Sequence, residues 1–135
     1  MPSSIHHVSM TCSSLEKSIQ FYNLFGFILH KSYSDSEVNI VLLKNKNNQV
    51  MIELFEFQVL EKNYGNIPEE TTDIRRIGLT HFAIIVDRIE RMRNQCIKLG
   101  FLCSSIRRAR ISNFRYFFVR DPDSNQVECI EEERA

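Results

Sequence analysis

Two histidines and two glutamates recur in the same order in the two halves of this chain: His7 and Glu53 in the first, His81 and Glu128 in the second. Glu53 follows His7 by 46 residues, and Glu128 follows His81 by 47. Two imidazoles with two carboxylates form a mixed nitrogen and oxygen donor set suited to zinc, iron, nickel, cobalt or manganese. Each residue alone has a plainer reading, as a hydrogen-bonded core histidine or as a strand glutamate at a solvated edge or in an ion pair. Recurrence at equivalent positions changes the balance, because repeat symmetry can bring all four side chains to one ion. A divalent cation is also a fitting partner for a carboxylate in an apolar strand, whose charged form is costly to bury unpaired.

The elements that must position these residues also repeat. Residues 5–56 align with residues 79–131. His7 heads Val8-Ser9-Met10-Thr11 and His81 heads Phe82-Ala83-Ile84-Ile85-Val86, both short runs consistent with strands. Strand alternation puts His7 on one face with Ile5, Ser9 and Thr11, and His81 with Ala83 and Ile85. A helical pattern follows each run, through Leu15, Ile19 and Tyr22 in the first copy and Ile89, Met92, Cys96 and Leu99 in the second. Each helix is expected to stop at a glycine, Gly26 or Gly100, 19 residues after its histidine. Ile40–Leu43 then matches Tyr116–Val119, and Met51–Phe55 matches Gln126–Ile130, so each copy ends on a glutamate-bearing strand. Glu53 shares its face with Met51 and Phe55, whereas Val127 and Cys129 lie opposite Glu128. Turn-type sequences at Asn45–Asn48 and Asp121–Asn125 join the last two strands. The expectation is one α+β domain over residues 1–135, with module 1 at about 5–57, a linker at about 58–76 and module 2 at about 77–132.

Composition narrows the function classes. Seventeen Lys and Arg balance 17 Asp and Glu, so there is no global positive field to draw the chain to nucleic acid or anionic lipid. The apolar runs fall far short of the roughly 18 residues that a membrane span needs. The N-terminal Met1-Pro2-Ser3-Ser4-Ile5 lacks the pattern of a secretory signal, and a cytoplasmic protein is expected. Cys12, Cys96, Cys103 and Cys129 form no CxxC pair and read as reduced, mostly buried thiols. Function must then lie in a local site.

The stretches Ile5-His6-His7-Val8, Ser18–Tyr22 with Phe25-Gly26-Phe27, Met51–Leu54, Leu79–Ile84 and Phe118–Asp123 resemble the vicinal oxygen chelate superfamily. That superfamily includes glyoxalase I, extradiol dioxygenases and bleomycin-binding proteins. The resemblance spans nearly the whole chain. It implies two tandem βαβββ modules forming a curved, mainly antiparallel eight-stranded sheet around one divalent metal, held by His7, Glu53, His81 and Glu128. His6 is then not a ligand. The His-Glu-His-Glu set is similar to that of bacterial glyoxalase I. It implies a metal-dependent lyase or isomerase that abstracts a proton next to a metal-bound carbonyl of a small substrate. The catalytic residues would be Glu128 and Glu53, with Glu128 the preferred base. Relatives of this size often form homodimers, so the four ligands come from one chain or from two.

Two other readings stand beside this one. A metal-dependent dioxygenase would be expected to use three protein ligands, and a non-catalytic small-molecule binding or antibiotic-resistance protein would dispense with the metal set. Ser13-Ser14 and Ser124 depart from the superfamily pattern at turns and touch no ligand. Among Arg75, Arg76, Arg107, Arg108, Arg110 and Arg115, one or two are candidates to hold a substrate carboxylate or phosphate, against a solvated surface for any one of them. Tyr22, Phe55, Tyr116 and Phe118 are candidates for a pocket lining or for core.

Overall fold

A computed structural model describes residues 4–59, 75 and 77–132. The chain divides into two compact units, Met1–Gly65 and Asn66–Ala135. Of the expected linker at about 58–76, residues 60–74 and 76 lie outside the described residues.

The first unit runs β1 (His7–Thr11), α1 (Leu15–Asn23), β2 (Phe27–Ser34), β3 (Val38–Asn45) and β4 (Met51–Phe57). The second repeats the order with β5 (Phe82–Ile85), α2 (Ile89–Lys98), β6 (Arg107–Arg108), β7 (Arg115–Arg120) and β8 (Gln126–Glu131). The sheets have the strand orders β1-β4-β3-β2 and β5-β8-β7-β6. In each, the first strand pairs with the last in parallel and the other pairings are antiparallel. These are the two βαβββ modules of the expected α+β fold, present as two open four-stranded mixed sheets.

Each sheet buries one face under its own helix. In the first unit Val41, Leu43, Ile52 and Leu54 are buried with Phe21 and Tyr22, and in the second Phe117, Val119, Val127 and Cys129 are buried with Ile89 and Cys96. Burial on the alternate positions leaves the opposite face of each sheet free to carry polar groups. The helix stripes differ in detail from expectation. In α1 the buried residues are Ser18, Phe21 and Tyr22, because Phe21 stacks edge-on against both Tyr22 and Phe25. Leu99 is 55% exposed, since α2 ends at Lys98 and turns away before that side chain reaches the core. Gly26 (φ 84°) and Gly100 (φ 90°) occupy the left-handed position expected just past each helix.

The helix starts show a second repeat-symmetric device. Glu56 accepts the Leu15 backbone N–H at 2.8 Å, and Glu131 accepts that of Ile89 at 2.9 Å. Each glutamate lies three residues beyond a predicted ligand and so faces the helix rather than the open face. Arg88, at the start of α2, makes no side-chain cap, which leaves Glu131 to satisfy an otherwise orphaned donor.

The four cysteines are free thiols: Cys12, Cys96 and Cys129 are buried and Cys103 half-buried. Burial pushes the Cys129 thiol up to about 12, so it stays protonated at neutral pH. Among the described residues no helix is long and apolar enough to cross a membrane.

Ser124 takes φ 65°, the left-handed region that glycine enters without penalty. The turn is held by Asp121, whose carboxylate accepts from the backbone N–H of Asp123 and of Asn125, each at 2.9 Å. Ser124→Gly should therefore raise stability by up to about 1 kcal/mol, the relieved strain exceeding the extra freedom of the unfolded chain. Thermal unfolding followed by circular dichroism checks this, and an unchanged or lowered midpoint would refute it.

Candidate metal and substrate site

The open face of each sheet carries one predicted pair. In the first unit His7 Nε2 lies 3.4 Å from Glu53 Oε1. In the second His81 Nε2 lies 3.6 Å from Glu128 Oε1. Register explains the correspondence. Glu53 is the strand partner of Ser9, two residues after His7, and Glu128 is the partner of Ala83, two residues after His81. Both histidines thus reach forward along the first strand to the carboxylate on its parallel neighbour.

In both pairs the same ring nitrogen faces the carboxylate and the other one is engaged. His81 Nδ1 meets the Thr80 hydroxyl at 2.7 Å, and His7 Nδ1 meets His6 Nδ1 at 2.8 Å with the two rings edge-on. The Nδ1 contact holds each ring with Nε2 toward the carboxylate, and in the tautomer with its proton on Nδ1 the Nε2 lone pair is the one that can ligate a metal. His6 is accordingly an orienting neighbour. The structure brings the four predicted ligands together as two pairs, and among the described residues no group of three or more His, Cys, Asp or Glu forms a ready-made metal cluster.

The two carboxylates are held differently. Ser9 Oγ donates to Glu53 Oε1 at 2.6 Å. Ala83 takes the place of Ser9 in the second module, so the register offers Glu128 no hydroxyl. Beside Glu53, a pocket of about 240 Å³ is lined by Ser9, Met10, Thr11, Phe55 and Phe57. The two phenylalanine rings stack 5.9 Å apart and nearly parallel. Beside Glu128, the strand partner Phe118 sets its ring edge-on to His81 at 5.0 Å, and Tyr116 packs edge-on to Phe118 at 5.7 Å. Of the aromatic candidates, Phe55, Tyr116 and Phe118 therefore stand at the site. Tyr22 is core: it is fully buried and its hydroxyl reaches Met10 Sδ at 3.3 Å.

Gln126, two residues before Glu128 on the same strand, is buried and its Nε2 has no hydrogen-bond partner among the described residues. An unsatisfied buried donor costs roughly 1–3 kcal/mol. Such a group is available to an oxygen bound beside Glu128. Sequence reasoning placed Ser9 on the His7 face without giving it a role, and missed Gln126 and Thr80. Their positions beside the ligands in chain and register were the only signal.

The family's sequence model for the glyoxalase, bleomycin resistance protein and dioxygenase superfamily matches residues 4–129. The chain belongs to this superfamily. A Bacillus subtilis (strain 168) relative, the uncharacterized protein YwkD, is 30% identical over 131 residues, covering 96% of this chain and 97% of its own. Among solved structures, the trypanothione-dependent glyoxalase I of Leishmania major superposes with a TM-score of 0.70 at 20% identity, covering 97% of this chain and 88% of that one. TnmS3, an antibiotic-binding protein from Streptomyces sp. CB03234, gives a TM-score of 0.66 at 16% identity, with 98% of both chains covered. At these identities both likenesses establish the superfamily fold alone. An enzyme and a binding protein share it, so the choice rests on side chains.

Proposed function

We propose that the two His-Glu pairs jointly hold one divalent metal and that the protein is a glyoxalase-type lyase or isomerase acting on a small α-carbonyl substrate. The observation that carries this reading is the repeated pair itself, with Nε2 turned to the carboxylate and Nδ1 held in both modules. The donor set fits nickel, cobalt, zinc, manganese or iron. When bound, such an ion supplies Lewis-acid polarisation of a substrate carbonyl. The chain's own residues do the rest. Glu128, without a hydroxyl to restrain it, takes the proton from the carbon next to that carbonyl, while Glu53 stays fixed by Ser9. The Gln126 amide donates to a substrate oxygen, as a positioned donor does where negative charge develops.

The test is the metal content of the purified, dialysed protein by elemental mass spectrometry, beside His81→Ala and Glu128→Ala. About one ion per His-Glu-His-Glu set is expected in the wild type, with loss in both variants. No stoichiometric ion after reconstitution would end this reading. A second reading, binding of a small apolar molecule without turnover, is favoured by the pocket under the stacked Phe55 and Phe57 rings, and that result would leave it standing.

A further inference from the structure

Strand register sorts the arginines of the second module by face. Arg115 pairs with Glu131, and Arg108 pairs with Arg115, so both lie on the face opposite Glu128. Arg115 is neutralised there, since its guanidinium donates to Glu131 at 2.7 Å and to Glu90. Arg107 is different. It pairs with Tyr116, which pairs with Ile130, and Ile130 shares the face of Glu128 two residues earlier. A continuous row follows across the open face: His81 and Glu128, then the Phe118 and Tyr116 rings, then Arg107. Arg107 is exposed, its Nε meets the Ser105 hydroxyl at 3.4 Å, and among the described residues no carboxylate pairs with it.

We infer that Arg107 binds an anionic group of the substrate, a carboxylate or a phosphate, separated from the reacting carbonyl by an apolar or planar segment that lies on Tyr116 and Phe118. This rests on the proposed reading of Glu128 as the reacting end and narrows it to a substrate class. β6 lies two strands, roughly 10 Å, from β8, and the two-residue offset between Ile130 and Glu128 adds roughly 7 Å along the strand, so the carbonyl and the anion stand on the order of 10 Å apart. A guanidinium presents paired donors that match the oxygens of either anion, and the aromatic floor shields that contact from water on one side.

The experiment compares binding of three probes by isothermal titration calorimetry: 2-hydroxyacetophenone, its para-carboxylate and its para-phosphate ester. Wild type should hold at least one anionic probe roughly tenfold tighter than the neutral one, the scale of one charge-assisted contact. Arg107→Gln should lose that preference and keep its affinity for the neutral probe. Arg108→Gln removes the same charge from the neighbouring residue on the other face and should leave the preference intact. Whichever anionic probe shows the larger preference identifies the anion. Equal binding of all three probes by wild type, absence of binding, or the same loss in both variants would overturn the assignment. A wild type that takes up no stoichiometric metal on reconstitution and still prefers an anionic probe would end the proposed metal chemistry and leave Arg107 its role. A metal-loaded wild type that holds all three equally would do the reverse.

Discussion

Glu128→Gln should slow proton exchange at the carbon next to a bound carbonyl by about 10²–10⁴-fold, the range a positioned general base contributes. The readout is deuterium incorporation at the hydroxymethyl carbon of 2-hydroxyacetophenone in D2O, followed by NMR with metal-saturated protein. Glu53→Gln, measured at the same saturation, should cost far less, because Glu53 is held by the Ser9 hydroxyl whereas its counterpart Glu128 faces Ala83 and has no hydroxyl partner among the described residues. Ser9→Ala should loosen Glu53 and narrow the difference between the two glutamates. The reverse ranking, with Glu53→Gln inactive and Glu128→Gln active, would move the base to the first module. Equal retention of exchange in both variants would remove proton abstraction from the proposed function. Circular dichroism separates these outcomes from misfolding, since both side chains sit on the open face and neither supports the core.

The two modules and the two His-Glu pairs were legible in the sequence because a strand's period of two leaves a direct mark. His7, Ser9 and Thr11 are exposed, Ile52 and Leu54 are buried, and Glu53 is half-buried, as alternation requires. The glycines after each helix were legible for a similar reason, one residue type matching one backbone conformation. The orientation of the imidazoles was hidden. Nothing in a residue string says that Thr80 and His6 meet Nδ1, because that depends on rotamers chosen by packing. The arginines were legible as a cluster but not as individuals, since only the pairing of β6 with β7 separates Arg107 from Arg108. Gln126 shares the period-two face of Glu128, but nothing in the residue string says that its amide is buried without a partner.

Glu131→Ala should destabilise the protein by about 1 kcal/mol and at most ~2, the cost of removing a helix cap, and should lower the unfolding midpoint by several degrees. The side chain joins three elements. One oxygen accepts the first N–H of α2, and the other accepts from Arg115 on β7, which in turn donates to Glu90 in the first turn of α2. Glu56 does the corresponding work in the first module, but its second donor is the neutral Asn39 amide at 3.1 Å, and Ser14 adds its own cap to α1. Loss of Glu56 should therefore cost less than loss of Glu131. The Arg115 side chain holds the Glu131 carboxyl below the usual glutamate range, and the Leu15 backbone N–H does the same for Glu56. A carboxyl depressed in the folded state stabilises it fully above the unfolded value of roughly 4.3, and that contribution is lost as pH falls through the lower folded value. Acid unfolding of wild type should accordingly begin below about pH 4–5, with the difference between wild type and Glu131→Ala shrinking as pH falls. Added salt at neutral pH should narrow the same difference, because the Arg115 contacts are half-exposed and screened. A gap between wild type and variant that stays constant from pH 7 to pH 3 would show that Glu131 acts through packing alone and not through its charge.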